Sequence, residues 1–175
     1  MLLPAIVQSL ARVAKPWAGL YGDSVVISST VTFAHVAGLL FGGGLAIASD
    51  RATLRAMKGS ADDRSRLLMD LSSSHRWVLT SLVVIFVSGL LLALADVKTF
   101  ATSAVYWTKM GLVALLLING AALQSTEQQL REVSLRDPAA PDVRRRWSRL
   151  RLTAMTSIAL WTLIALAGVI LVEAS

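Results

Sequence analysis

The chain has 175 residues, of which 55 % are hydrophobic and only 16 % charged, against about 25 % charged in a soluble domain; the deficit points to lipid. Cysteine is absent, which excludes disulfides, thiolate metal centres, iron–sulfur clusters and cysteine nucleophiles. A formal charge of +6 would suggest nucleic acid in a soluble protein, but here the charges are placed as topology signals and no nucleic-acid partner is expected.

Within residues 1–22, Leu3, Ile6, Val7, Leu10, Val13 and Trp17 recur at helical spacing, and Pro4 sits where a first helical turn tolerates it. Arg12 and Lys15 follow the apolar residues, the reverse of a signal peptide, so a cleaved leader is not expected. The pattern predicts an amphipathic helix on the outer leaflet, with a frayed terminus as the alternative.

Four later stretches meet the requirement of about 20 mostly apolar residues for crossing the bilayer, at about 25–48, 77–95, 104–123 and 152–172. The predicted fold class is an all-α membrane protein: a four-transmembrane-helix bundle with an N-terminal interfacial amphipathic helix. Arg51, Arg55, Lys58, Arg64, Arg66 and Arg76 lie between spans one and two. Arg131, Arg136, Arg144, Arg145, Arg146, Arg149 and Arg151 lie between spans three and four, so these two segments hold most of the 17 basic residues. The loop between spans two and three has only Lys98, beside Asp96. The positive-inside rule places the two basic segments in the cytoplasm and both termini outside.

The basic segments carry apolar residues as well. Leu54, Met57, Leu67, Leu68 and Leu71 are interspersed with charges, and residues 61–63 are expected to open a short interfacial helix. Span three continues without a breaker to about Ser134, and Asp137-Pro138-Ala139-Ala140-Pro141 turns the chain. Arg144, Arg145, Arg146, Arg149 and Arg151 lead into span four. They serve either as lipid-headgroup contacts, at about 1 kcal/mol each, or as a plain topology signal. The lipid bilayer is thus the first partner.

Ionisable residues inside spans are functional candidates by default, and two stand out. His35 lies about 15 Å down the first span, on a face with Ser28, Thr32, Leu39 and Gly42, and Gly38 and Gly42 form a small-xxx-small pair for close helix approach. It is either a ligand or proton carrier, or a neutral histidine satisfied by a hydroxyl across a helix interface. Lys109 lies about 8 Å below the outer surface. It either snorkels and pairs with Asp96, or joins His35, Asp96, Thr32 and Thr108 in a polar cluster of the outer half. Tyr106 and Trp107 are placed as interfacial anchors. Ionisable groups are expected only in the middle and outer half of the bundle.

His75 sits at the cytoplasmic surface, too far from His35 for both to ligate one iron. A haem b held by His35 and another axial ligand stays open as a cofactor, as does a copper site of few ligands, since Met1, Met57, Met69, Met110 and Met155 are scattered. No H-E-x-x-H, G-x-S-x-G or P-loop pattern occurs, and the chain does not read as an enzyme.

The order His35-x-x-Gly38, Asp50-Arg51, Ser88-Gly89-Leu90-Leu91-Leu92 and Trp107-Thr108-Lys109-Met110-Gly111-Leu112 resembles the membrane domain of the copper-resistance protein D family and related bacterial four-helix families of unknown function, over roughly residues 30–123. The resemblance implies a bacterial inner-membrane bundle, copper passage, and His35 and Lys109 as the positions that matter. Two functions are expected. The first is an accessory or assembly subunit that packs against other membrane subunits or itself through Gly38, Gly42, Gly89, Gly111, Gly120 and Gly168. The second is a protein handling a metal, haem or quinone near His35.

Overall fold

The computed structural model describes residues 2–136 and 141–173, without the side chains of residues 2–4, 61, 65–66, 68–75, 134–136, 141–142 and 172. Six helices follow in order: α1 (Leu2–Asp23), α2 (Val25–Ala56), α3 (Ala61–Ala95), α4 (Val97–Thr102), α5 (Ala104–Arg136) and α6 (Pro141–Glu173). Four of them, α2, α3, α5 and α6, are long and apolar enough to cross a membrane. The protein is a multi-pass, all-helical membrane bundle.

The long helices outrun the bilayer. At 1.5 Å per residue each is about 48–52 Å long, against about 30 Å of hydrocarbon, and the excess lies at the end that carries the arginines. This is the basic end of the bundle, and the opposite one is the α4 end. The first basic segment is therefore not a loop with its own interfacial helix. Helix α2 runs on to Ala56, and the link to α3 is only four residues. Ser60 and Asp63 form a reciprocal capping box, Asp63 N–H to Ser60 Oγ at 3.2 Å and Ser60 N–H to Asp63 Oδ2 at 2.8 Å. The expected helix start at residues 61–63 is thus right, but the helix it opens is α3, which continues to Ala95. The predicted extension of span three is seen, to Arg136. Residues 137–140 of the expected turn lie outside the described residues; Pro141 opens α6 at the position where a helix tolerates proline.

The four spans form two antiparallel hairpins, α2–α3 and α5–α6, joined through α2 and α6. Helices α3 and α5 flank this central pair. At the α2–α3 seam glycine permits close approach: a Cβ on Gly42 would stand 2.5 Å from Ser81 Cβ, and one on Gly38 would stand 3.0 Å from Ile85 Cγ1. The next residue, Gly43, meets α6, where a Cβ would stand 3.0 Å from the Trp161 ring. Asn119 Nδ2 donates to Thr153 O at 2.9 Å between α5 and α6.

Two hydrophobic cores result. One joins Leu116, Leu160, Trp161 and Ile164 with Leu39, Ile47, Leu82 and Ile85 in the spans. The other joins Leu67, Leu130, Trp147 and Leu150 with Ala56 and Met57 at the basic end, where the Arg64 guanidinium lies 5.7 Å from the Trp147 ring. Leu67 and Met57, read from sequence as apolar residues among charges, are thus parts of a core.

At the α4 end, Asp96 caps α4 by accepting from Thr99 N–H at 3.2 Å, and Phe100, Tyr106 and Trp107 stack into one aromatic cluster. Helix α1 docks on α3, α4 and α2. Its docked face is the small stripe Ala11, Ala14 and Ala18 with Tyr21, and Trp17 Nε1 donates to Leu91 O at 2.8 Å. Ile6, Leu10, Val13 and Leu20 face outward. Sequence periodicity found the helix through its bulky residues, but the smaller ones are those that let it approach the bundle.

Candidate functional site

His35 reaches from α2 to α3. Its Nδ1 lies 3.1 Å from Ile85 O and 3.0 Å from Ser88 Oγ. A carbonyl oxygen only accepts, so Nδ1 carries the proton and donates. Ser88 donates its own hydroxyl to Val84 O at 2.6 Å and is left to accept from the ring. The ring lies against Gly89, where a Cβ would stand 3.1 Å from His35 Cε1. This is the arrangement of a histidine satisfied by a hydroxyl across an interface, with Nε2 as the remaining lone pair. Lys109 approaches from the other hairpin. Its Nζ rests at Gly168 of α6, 3.4 Å from where a Cβ would be, and its charge acts on His35.

The other outer residues are held elsewhere. Asp96 is exposed at the α4 cap. Thr32 is exposed and shares a 3.2 Å hydrogen bond with Tyr21 of α1. Thr108 donates to Ala104 O of its own helix at 2.9 Å. Of the other four candidate ligand-binding residues, Lys109 is the one whose charge acts on His35. Met110 is exposed, and the side chain of His75 lies outside the described residues. Among the described residues, no three histidine or carboxylate side chains are grouped so as to hold a metal. In the arginine cluster, Arg144, Arg145, Arg149 and Arg151 are exposed, whereas Arg146 is half-buried and donates to Gln129 Oε1 of α5.

The strongest concentration of buried polarity is at the basic side of the spans, where none was expected. Asp50 of α2 is 4 % exposed and Glu127 of α5 is 6 % exposed. Ser157 of α6 lines the same cavity wall as Asp50, and the two carboxylates act on each other electrostatically, with Arg131 offsetting on the Glu127 side. No donor of the described chain reaches Asp50 Oδ2. Asp50 stands on the wall of a cavity of about 230 Å³ between all four spans. Ser49, Gln124 and Ser157 supply its other polar groups, Trp161 an aromatic wall, and leucines of α3 and α5 most of the rest. Leu79 and Leu117, on opposite rims, are 52 % and 53 % exposed. The gap between α3 and α5 thus opens the cavity sideways toward lipid. An apolar chamber with a few convergent polar groups is the usual form of a small-molecule site.

The expectation that ionisable groups stop at mid-membrane is corrected by these two acids. From sequence, Asp50 enters only as half of the Asp50-Arg51 pair in the family resemblance. The overlooked signal is that Gly43, Ile47, Asp50 and Leu54 keep helical spacing with no breaker before Gly59, so the interior face of α2 continues through the aspartate. Leu123, Glu127 and Leu130 repeat the pattern in α5. No known protein family, curated protein or solved structure was found to match this chain.

Proposed function

We propose that this chain is a multi-pass protein of the bacterial inner membrane that binds a small organic molecule in the cavity between α2, α3, α5 and α6. Its basic end faces the cytoplasm and both termini face outward, as the positive-inside rule requires. The observation that carries the reading is Asp50, a carboxylate buried beside a membrane cavity with one oxygen unmatched by any donor of the described chain. A charge in that position is costly and would serve packing worse than an apolar residue. The volume is sufficient: an apolar cavity of about 150 Å³ holds benzene.

Gly120 provides the test. It lines the cavity, and nothing stands within 4 Å of a Cβ added there, so Gly120→Phe fills the chamber without displacing a neighbour at that first atom. Native mass spectrometry and thermal shifts with a panel of small ligands should show binding to the wild type and its loss in Gly120→Phe at unchanged helicity. Binding to both proteins alike, or to neither, refutes the reading.

The second reading is an accessory or assembly subunit. It is favoured by Gly111, an exposed glycine with open space before it. Its support is otherwise reduced, because Gly38, Gly42, Gly89 and Gly168 are met by side chains of the chain itself. Co-purification of a larger partner in mild detergent, lost in Gly111→Leu, would favour it. A ligand centred on His35, as the resemblance to the copper-resistance protein D family implies, has Nε2 as its donor, but a metal cation there is opposed by the Lys109 charge.

A further inference from the structure

Resting on the cavity as a binding site, we infer that its ligand is a small organic cation: a protonated amine with an apolar body, its ammonium on Asp50 and its ring or chain between α3 and α5. The charges select this class. An ionised carboxylate offers about four acceptor positions, and Asp50 Oδ2 has no donor among the described residues. An ammonium brings the missing N–H donors and the compensating charge together. Glu127 adds a second acid within electrostatic range of Asp50, so the local charge disfavours a bound anion. Trp161, 4 % exposed and on the same wall, is the residue type that best accommodates a desolvated cation.

The apolar part follows from the remaining lining. Val78, Leu79 and Leu82 of α3 face Leu116 and Leu117 of α5 across the chamber, and they offer no hydrogen bond to a polyol or a hydrated inorganic ion. Entry is lateral. Arg51 and Arg76 are exposed at the basic rim and oppose approach of a cation from that end. An amphiphilic amine already partitioned into the bilayer reaches the α3–α5 gap directly.

Three molecules of nearly equal size that differ in charge test the inference on the full-length protein in lipid nanodiscs: 2-phenylethylammonium, 2-phenylethanol and phenylacetate. The expected order is ammonium tightest, alcohol at least about 10-fold weaker, and carboxylate without measurable binding. Asp50→Asn should weaken the ammonium by about 30-fold or more, the scale of losing one partner of a buried charged pair, and leave the alcohol unchanged. Gly120→Phe should abolish both. Equal binding of ammonium and alcohol, or preference for the alcohol, overturns the charge assignment but leaves the cavity as a binding site. Binding of none of the three overturns both. The wild-type series decides the question even if Asp50→Asn does not fold.

Discussion

The two ends of this bundle are built by different rules. At the basic end, Leu67 of α3, Leu130 of α5, and Trp147 and Leu150 of α6 close on one another, with Ala56 and Met57 packed against them. Leu130 and Leu150 are fully buried. Large apolar side chains meet in this way in the core of a small four-helix bundle, where their removal from water drives packing. Within the spans lipid removes that drive, and helices associate through small residues and hydrogen bonds. There the contacts include Gly42 on Ser81, Gly43 on Trp161, His35 on Ser88 and Asn119 on Thr153 beside the apolar cluster around Trp161, and a chamber beside Asp50 is left unfilled. The basic-end core adds a second hold on the four helices, which leaves the spans room to keep a cavity.

Breaking this contrast should have graded effects. The largest is expected from Leu150→Ala, which removes a fully buried side chain from the basic-end core and should lower the unfolding free energy by about 2–5 kcal/mol, read by thermal or denaturant melting in detergent. Gly42→Ala comes next. Its methyl would meet Ser81 at 2.5 Å and force α2 from α3, costing about 1–3 kcal/mol. His35→Ala removes one interhelical hydrogen-bonded contact within lipid, and should cost up to about 1.7 kcal/mol by the same melts. Asp50→Asn should act in the opposite direction. It relieves a buried charge and should raise stability by about 0.5–1 kcal/mol. If Asp50→Asn were as destabilising as Leu150→Ala, the aspartate would be a packing element and the contrast between the ends would fail.

Hydropathy made the spans legible, because about 20 apolar residues in a row have few other uses. Charge asymmetry likewise marked the basic end. Neither reports which face of a helix meets protein, since leucine is equally at home against lipid and against another helix. Hence of the apolar residues that mark α1 in the sequence, Val7 and Trp17 turn inward and Ile6, Leu10 and Val13 outward, while Ala11, Ala14 and Ala18 complete the docked face. His35 was legible as an interface residue because Gly38 and Gly42 follow it at helical spacing. Asp50 and Glu127 were not, because each stands near arginines in a stretch that reads as water-facing. Only the unbroken periodicity of α2 and α5, extended past the end of the apolar run, distinguishes them from surface acids.

The seam between α2 and α6 has a consequence for assembly. Residues 2–102, with α1 to α4, and residues 104–173, with α5 and α6, each form a contiguous unit whose internal partners are close in sequence. They meet along α2 and α6, with a small contact of α4 on α5, and through the two apolar clusters that draw in side chains of α3 and α5. The protein is in this sense a heterodimer carried on one chain, and the peptide bonds near Ser103 act as its tether. Cut there and expressed as two polypeptides, the halves should still recognise each other through the basic-end core and through Gly43 and Trp161, and Gly43→Leu should weaken their association.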